Sequence, residues 1–131
     1  SLVQEIELSA ANPIQYWELY DDKHSSRGFD ELEDLPRGQL PFFAFLDGLG
    51  ERDLKREVDW KSSPADVLEA VNELLTVHGK PVLDKQELSG LVGVSPYDSL
   101  DHLSSIVKKR YQLRIVTFEI RSDSIPFVLS P

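Results

Sequence analysis

The sequence contains no cysteine and no methionine among its 131 residues. Without thiols, the chain has no disulfide framework, no cysteine-ligated zinc site and no thiol nucleophile. The longest hydrophobic run, Leu40 to Leu46, is far shorter than the ~20 residues that a membrane-spanning helix needs. We therefore expect a protein with no membrane segment. The lack of cysteine is compatible with the cytosol or the periplasm, and a cytoplasmic location is the default expectation.

Sequence motifs typical of enzymes are missing as well. There is no Gly-x-Ser-x-Gly elbow and no Walker loop, and the glycine pair at 48 and 50 precedes no strand–helix–strand unit. Acidic residues adjoin one another at 21–22 and 30–34, but acid–base catalysis needs two carboxyl groups in different environments. Crowded loop acids share one solvated environment. The sequence therefore predicts a protein that is not an enzyme and holds no cofactor.

Histidine is scarce, and His24, His78 and His102 are far apart in the sequence. Asp98 and His102 are four residues apart on a predicted helix, with Asp101 adjoining them. Two carboxylates and one imidazole can hold a divalent ion, but no second pair of ligands is apparent. Such a trio more often lies on a solvated helix face than in a metal site, and we therefore predict no metal site.

Charge is unevenly distributed along the chain. There are 23 acidic and 14 basic residues, a net charge of −9, and 40% of the residues are hydrophobic, which is too many for a disordered chain. Residues 1–60 hold 14 acids and 6 bases, whereas residues 61–131 hold 9 acids and 8 bases. An acidic surface repels nucleic acid and attracts basic partners. Nucleic acid is therefore disfavoured as a partner.

The N-terminal part has mixed signals for secondary structure. Residues 3–8 show part of an alternating pattern and predict a strand. Residues 14–20 fit a helix capped by Asn12, although an alternating strand is also possible, and we favour the helix. Residues 21–39 predict a surface loop. The spacing of apolar residues over 42–50 predicts a buried helix.

The C-terminal part has clearer signals for where helices and strands begin and end. Residues 56–60 predict a short strand, and a helix over 64–78 begins after the cap Ser63. Residues 82–83 predict a very short strand, followed by a brief helix from Asp84 and a longer helix over 97–111. A hairpin over 113–129 ends the chain. Because Pro126 cannot donate a ladder hydrogen bond, its strand should lie at an edge or pair on one side only there.

These elements predict a single α+β domain over residues 1–131. Three or four helices should pack on a small, mainly antiparallel sheet that includes the C-terminal hairpin. Residues 1–60 form the acidic part, and residues 63–131 form a helix-rich part that ends in the hairpin.

From Ser63 onward the order of elements resembles a winged-helix domain. The sequence from Leu88-Ser89 to Val92-Gly93 is similar to the middle of a helix-turn-helix, with a small residue at the helix crossing followed by a turn glycine. The resemblance implies a DNA-binding transcriptional regulator, which is our alternative interpretation. Its basic residues would form one positive face: Lys108, Lys109, Arg110, Arg114 and Arg121. However, Asp98 and Asp101 lie where a recognition helix faces phosphates.

Our leading interpretation is a non-enzymatic protein-binding module of the small bacterial immunity or regulatory type. Aromatic anchors within an acidic rim suit a basic protein partner. The predicted binding residues are Tyr16, Trp17, Tyr20, Asp21, Asp22, Asp30, Glu31, Glu33 and Asp34.

Overall fold

The described residues of the first part of the chain form three helices: α1 (Leu2–Ala11), α2 (Pro13–Leu19) and α3 (Leu40–Glu51). The computed structural model describes residues 1–20, 39–120 and 123–131. Contacts within the chain divide it into two compact units, Ser1–Arg52 and Asp53–Pro131. Most of the loop predicted over 21–39 lies outside the described residues.

The strand predicted over residues 3–8 is wrong, because these residues belong to α1. Ser1 caps the helix: its hydroxyl accepts a hydrogen bond from the Gln4 amide at 3.3 Å, and its amino group donates to the Gln4 side chain at 3.0 Å. This reciprocal pair satisfies the Gln4 amide in the first turn and the Ser1 amino group before it. The predicted pattern began at residue 3 and therefore missed the capping residue that precedes it.

The helical interpretation of residues 14–20 is confirmed by α2. The Asn12 side chain accepts from the Gln15 amide at 3.3 Å, and Pro13 occupies the first turn, where a missing amide hydrogen costs nothing. The helix predicted over 42–50 is confirmed by α3. The buried core of this unit is formed by Tyr16, Trp17, Leu40, Phe43 and Ala44.

The second unit contains two helices and a sheet. Its elements are β1 (Arg56–Asp59), α4 (Pro64–Val77), a short 3-10 helix (Lys85–Leu88), α5 (Pro96–Tyr111), β2 (Arg114–Thr117) and β3 (Ser124–Ser130). The strands are antiparallel in the order β1-β3-β2. Helices α4 and α5 pack on the sheet over a core that includes Leu74, Leu103 and Phe127, all 0% exposed.

The starts of α4 and α5 lie where the sequence places them. Ser63 accepts from the Asp66 amide at 3.2 Å, and the Asp66 carboxylate accepts from the Ser63 amide at 3.2 Å. Ser95 accepts in the same way from the Asp98 amide at 3.2 Å. The predicted hairpin is also confirmed, since β2 pairs with β3.

The strand predicted at residues 82–83 does not form. The Asn72 side chain accepts from the Leu83 amide at 2.8 Å and donates to the Leu83 carbonyl at 3.1 Å. A side chain of α4 thus takes the two backbone groups that a neighbouring strand would need. The helix predicted from Asp84 is limited to the 3-10 turn, and Gly90 follows it with φ +85°.

β3 is the central strand, so the first of the two alternatives for the strand of Pro126, an edge position, is wrong. Pro126 pairs with Glu57 of β1, and its carbonyl accepts from the Phe118 amide at 2.9 Å. In an antiparallel strand the N–H and C=O of one residue point to the same neighbour. The nitrogen of Pro126, which carries no hydrogen, therefore faces the β2 side at a point beyond the last β2 residue. The hydrogen bonds between β3 and β1 are unaffected.

The α+β class is confirmed, with five α-helices and a small antiparallel sheet among the described residues. The order of elements departs from the winged-helix resemblance, since β1 precedes α4 and no strand follows α4 before the 3-10 helix. In the described ranges, no helix has the length and apolar character needed to cross a membrane.

Candidate protein-binding surface

Most of the predicted acidic surface lies outside the described residues: Asp21, Asp22, Asp30, Glu31, Glu33 and Asp34. Two of the predicted aromatic anchors are in the core. Tyr16 is 1% exposed and Trp17 is 8% exposed. They pack with Phe43 and Ala44, so their rings fill the unit instead of forming its surface.

Tyr20 is half-buried beside Tyr16, with ring centroids 4.6 Å apart. Its hydroxyl donates to the Glu5 carboxylate at 3.5 Å. Burial, and then the Glu5 charge, raise the pKa of Tyr20 above its ordinary value, and Arg52 partly opposes this. Arg52 in turn bonds Glu5 at 3.2 Å and the Gly48 carbonyl at 2.8 Å. This network joins α1, the end of α2 and the end of α3.

The exposed side of α2 carries different residues from those predicted. Ile14 is 64% exposed and Leu19 is 62% exposed, and Glu18 between them is also exposed. Sequence reasoning missed this trio. A helical wheel centred on Tyr16 and Tyr20 places Ile14 and Glu18 on the far side, because successive helical residues are about 100° apart.

Acids outnumber bases strongly in the first unit. Residues 1–52 hold 11 acidic and 4 basic residues. Among the described residues of this unit the single base is Arg52, which is held by Glu5 and Gly48. The exposed acids Glu7 and Glu18 lie on α1 and α2.

The basic residues of the alternative interpretation are spread around the end of α5. Lys108, Lys109 and Arg110 are consecutive, so they point about 100° apart around the helix axis. Arg110 forms an ion pair with Glu87. Arg114 is exposed on β2, and Arg121 lies outside the described residues. Lys108, Lys109 and Arg110 therefore do not all point to one side of α5.

His102 has a structural contact that occupies its imidazole. Its Nε2 atom lies 2.6 Å from the Glu87 carbonyl, which accepts, so this nitrogen carries the proton. The contact fastens the 3-10 helix to α5. No cluster of three His, Asp or Glu side chains able to hold a metal occurs in the part of the chain that the structure describes, which leaves out His24.

A groove of about 570 Å³ lies between α4 and the segment that follows it. We call this the α4 groove. Its floor contains Leu68 and Leu83, and Val82, which is 59% exposed, forms part of its lip. The remaining lining residues are mostly polar: Ala65, Asp66, Glu69, Asn72, Glu73, Thr76 and Lys85. No sequence motif indicated this groove, because the Asn72–Leu83 contact that holds its floor in place joins residues 11 positions apart.

Comparison with known proteins gives a family but no functional relative. No curated protein and no solved structure matches the chain. A protein-family model matches all of residues 1–131. The chain therefore belongs to the family described as a domain of unknown function, DUF6630.

Proposed function

We propose that this protein is a non-enzymatic protein-binding module whose acidic first unit engages a basic protein partner. The observation that carries the proposal is the charge of that unit, 11 acids against 4 bases in residues 1–52. A surface of one sign attracts partners of the other sign and speeds their association.

Exposed apolar side chains on α2 support the same proposal. Ile14 and Leu19 are both more than 60% exposed and lie on either side of Glu18. Binding energy at protein interfaces comes mainly from a few side chains that become well packed and desolvated, and charge supplies orientation and rate. In place of Tyr16 and Trp17, which are buried, we assign the apolar contacts of this surface to Ile14 and Leu19.

A capture experiment with the full chain tests the proposal. Wild-type bait is compared with Glu18→Lys/Leu19→Ser, two exposed positions whose change leaves the core intact. Val92→Ser, at a position that is 92% exposed in the second unit, is the control. We expect a basic protein that wild type and V92S capture and the double variant loses. The purified partner should then bind the double variant about tenfold or more weakly in calorimetry.

DNA binding is the competing outcome. The winged-helix alternative would have support if a labelled DNA duplex bound the chain at physiological salt and no protein partner were captured. In that case Lys108→Ala and Lys109→Ala should each reduce the slope of the logarithm of the binding constant against the logarithm of the salt concentration by about one. That combination of results would overturn the protein-binding proposal.

A further inference from the structure

The α4 groove has an apolar floor that is fixed in place. Asn72 holds both backbone groups of Leu83, at 2.8 and 3.1 Å, so the segment after α4 stays against the helix. Leu68 and Leu83, 4% and 3% exposed, form the base, and Val82 projects beside them with 59% of its surface exposed. An apolar side chain of a partner would cover Val82 without any rearrangement of the fold.

The α4 side of the groove is acidic. Asp66, Glu69 and Glu73 follow one another at helical spacings of three and four, which places them along one stripe of α4. The Asp66 carboxylate accepts from the amide of the cap Ser63, and Arg56 donates to the Glu73 carboxylate at 2.8 Å. Glu69 has no ion pair or hydrogen bond among the described residues, so its carboxylate is available to a ligand.

Three acids and one base, Lys85, line the groove. We propose that the α4 groove binds a basic peptide segment of a protein partner in which an arginine adjoins an apolar residue. The aliphatic part of arginine would lie over Leu68, and its guanidinium would bond the Glu69 carboxylate in a planar, two-point contact. The adjoining apolar side chain would pack on Val82.

This inference is independent of the acidic surface proposed above, which lies in the first unit. Both proposals predict a basic partner, but they assign the binding to different residues. Amide chemical shifts of the full chain therefore separate the two proposals, because each residue reports its own contacts.

The test titrates isotope-labelled full-length protein with an acetylated hexapeptide that alternates arginine and leucine. We expect amide shifts confined to residues 65–76 and 82–85. Glu69→Lys should weaken binding about tenfold, since it replaces a charge-assisted hydrogen bond with repulsion. The matched control is Asp101→Lys, which makes the same change of charge at another exposed helical position of the second unit. It should change affinity less than about twofold.

A second variant tests the apolar contact. A hexapeptide that alternates arginine and glycine should bind wild type about fivefold more weakly than the leucine peptide, because it leaves Val82 uncovered. Val82→Ser should remove this difference and leave the affinity for the glycine peptide unchanged.

Three results would overturn the inference. Shifts confined to residues 1–20 would move binding to the first unit and leave the proposed function intact. Equal weakening by E69K and D101K would show a general charge effect and no groove contact. The absence of shifts at physiological salt would show that the groove does not bind this class of peptide.

Discussion

Some side chains in this protein have roles that nearby residues in the sequence determine. Others have roles that residues distant in the sequence determine. Ser63 and Ser95 cap helices through amides three residues away, and both caps lie where the sequence predicts them. Ser99 and Ser104 lie on α5, the helix that Ser95 caps, yet their environments differ. Ser99 is 0% exposed and its hydroxyl has no hydrogen-bond partner in the part of the chain that the structure describes, whereas Ser104 accepts from the Ile115 amide at 3.3 Å.

We predict opposite effects on stability for these two serines. Ser99→Ala removes a buried hydroxyl without a partner and improves helix propensity, so the free energy of unfolding should rise by about 1 kcal/mol. Ser104→Ala removes the acceptor of the Ile115 amide and should lower it by about 1 kcal/mol. Chemical denaturation of the full chain measures both changes. A loss of stability in S99A would show that the hydroxyl is needed in the native state.

At the scale of elements, the sheet shows how helices and turns protect its edges. β1 and β2 are the edge strands. The Asp59 amide of β1 donates to the Ser62 hydroxyl at 2.9 Å, and the Ile115 amide of β2 donates to Ser104. A hydroxyl that accepts a hydrogen bond from an amide on the outer side of an edge strand blocks the pairing of another strand at that point. These contacts limit strand addition as a way to bind a partner, which agrees with a groove on α4 as the site of peptide binding.

The contact between Asn72 and Leu83 should stabilise the segment after α4. Asn72→Ala removes two hydrogen bonds and should lower the free energy of unfolding by about 2 kcal/mol. The Leu83 amide should then exchange with solvent faster than the core amides do. Thr76→Ala, which removes a hydroxyl bond to the Asn72 carbonyl at 2.9 Å, is the control on the same helix. Equal protection of Leu83 in N72A and T76A would contradict this assignment.

At the scale of the whole molecule, the contacts divide the chain at residue 52, whereas the sequence predicts one domain. The second unit has its own core of two helices on a sheet. We therefore expect residues 53–131, expressed alone, to unfold cooperatively and to give dispersed amide signals like those of the full chain. An unfolded fragment would show that the two parts fold as the one predicted domain.

The two sites were predictable to different degrees. The acidic character of the first unit follows from composition, but which α2 residues reach its surface does not. Tyr16, Trp17, Ile14 and Leu19 are all large and mainly apolar, and packing against α3 residues more than 20 positions away decides that the first pair is buried. The α4 groove was not predictable, because residues that are separate in sequence form its walls.

The sequence by itself determined the α+β class, the starts of α2, α4 and α5, the C-terminal hairpin and the excess of acid in the first part of the chain. These features depend on composition or on contacts between residues a few positions apart. Only the tertiary structure decided that β3 is central, that Asn72 replaces a strand partner of Leu83, and that Tyr16 and Trp17 are buried. Each of these depends on which distant segments meet, and local propensities do not specify that.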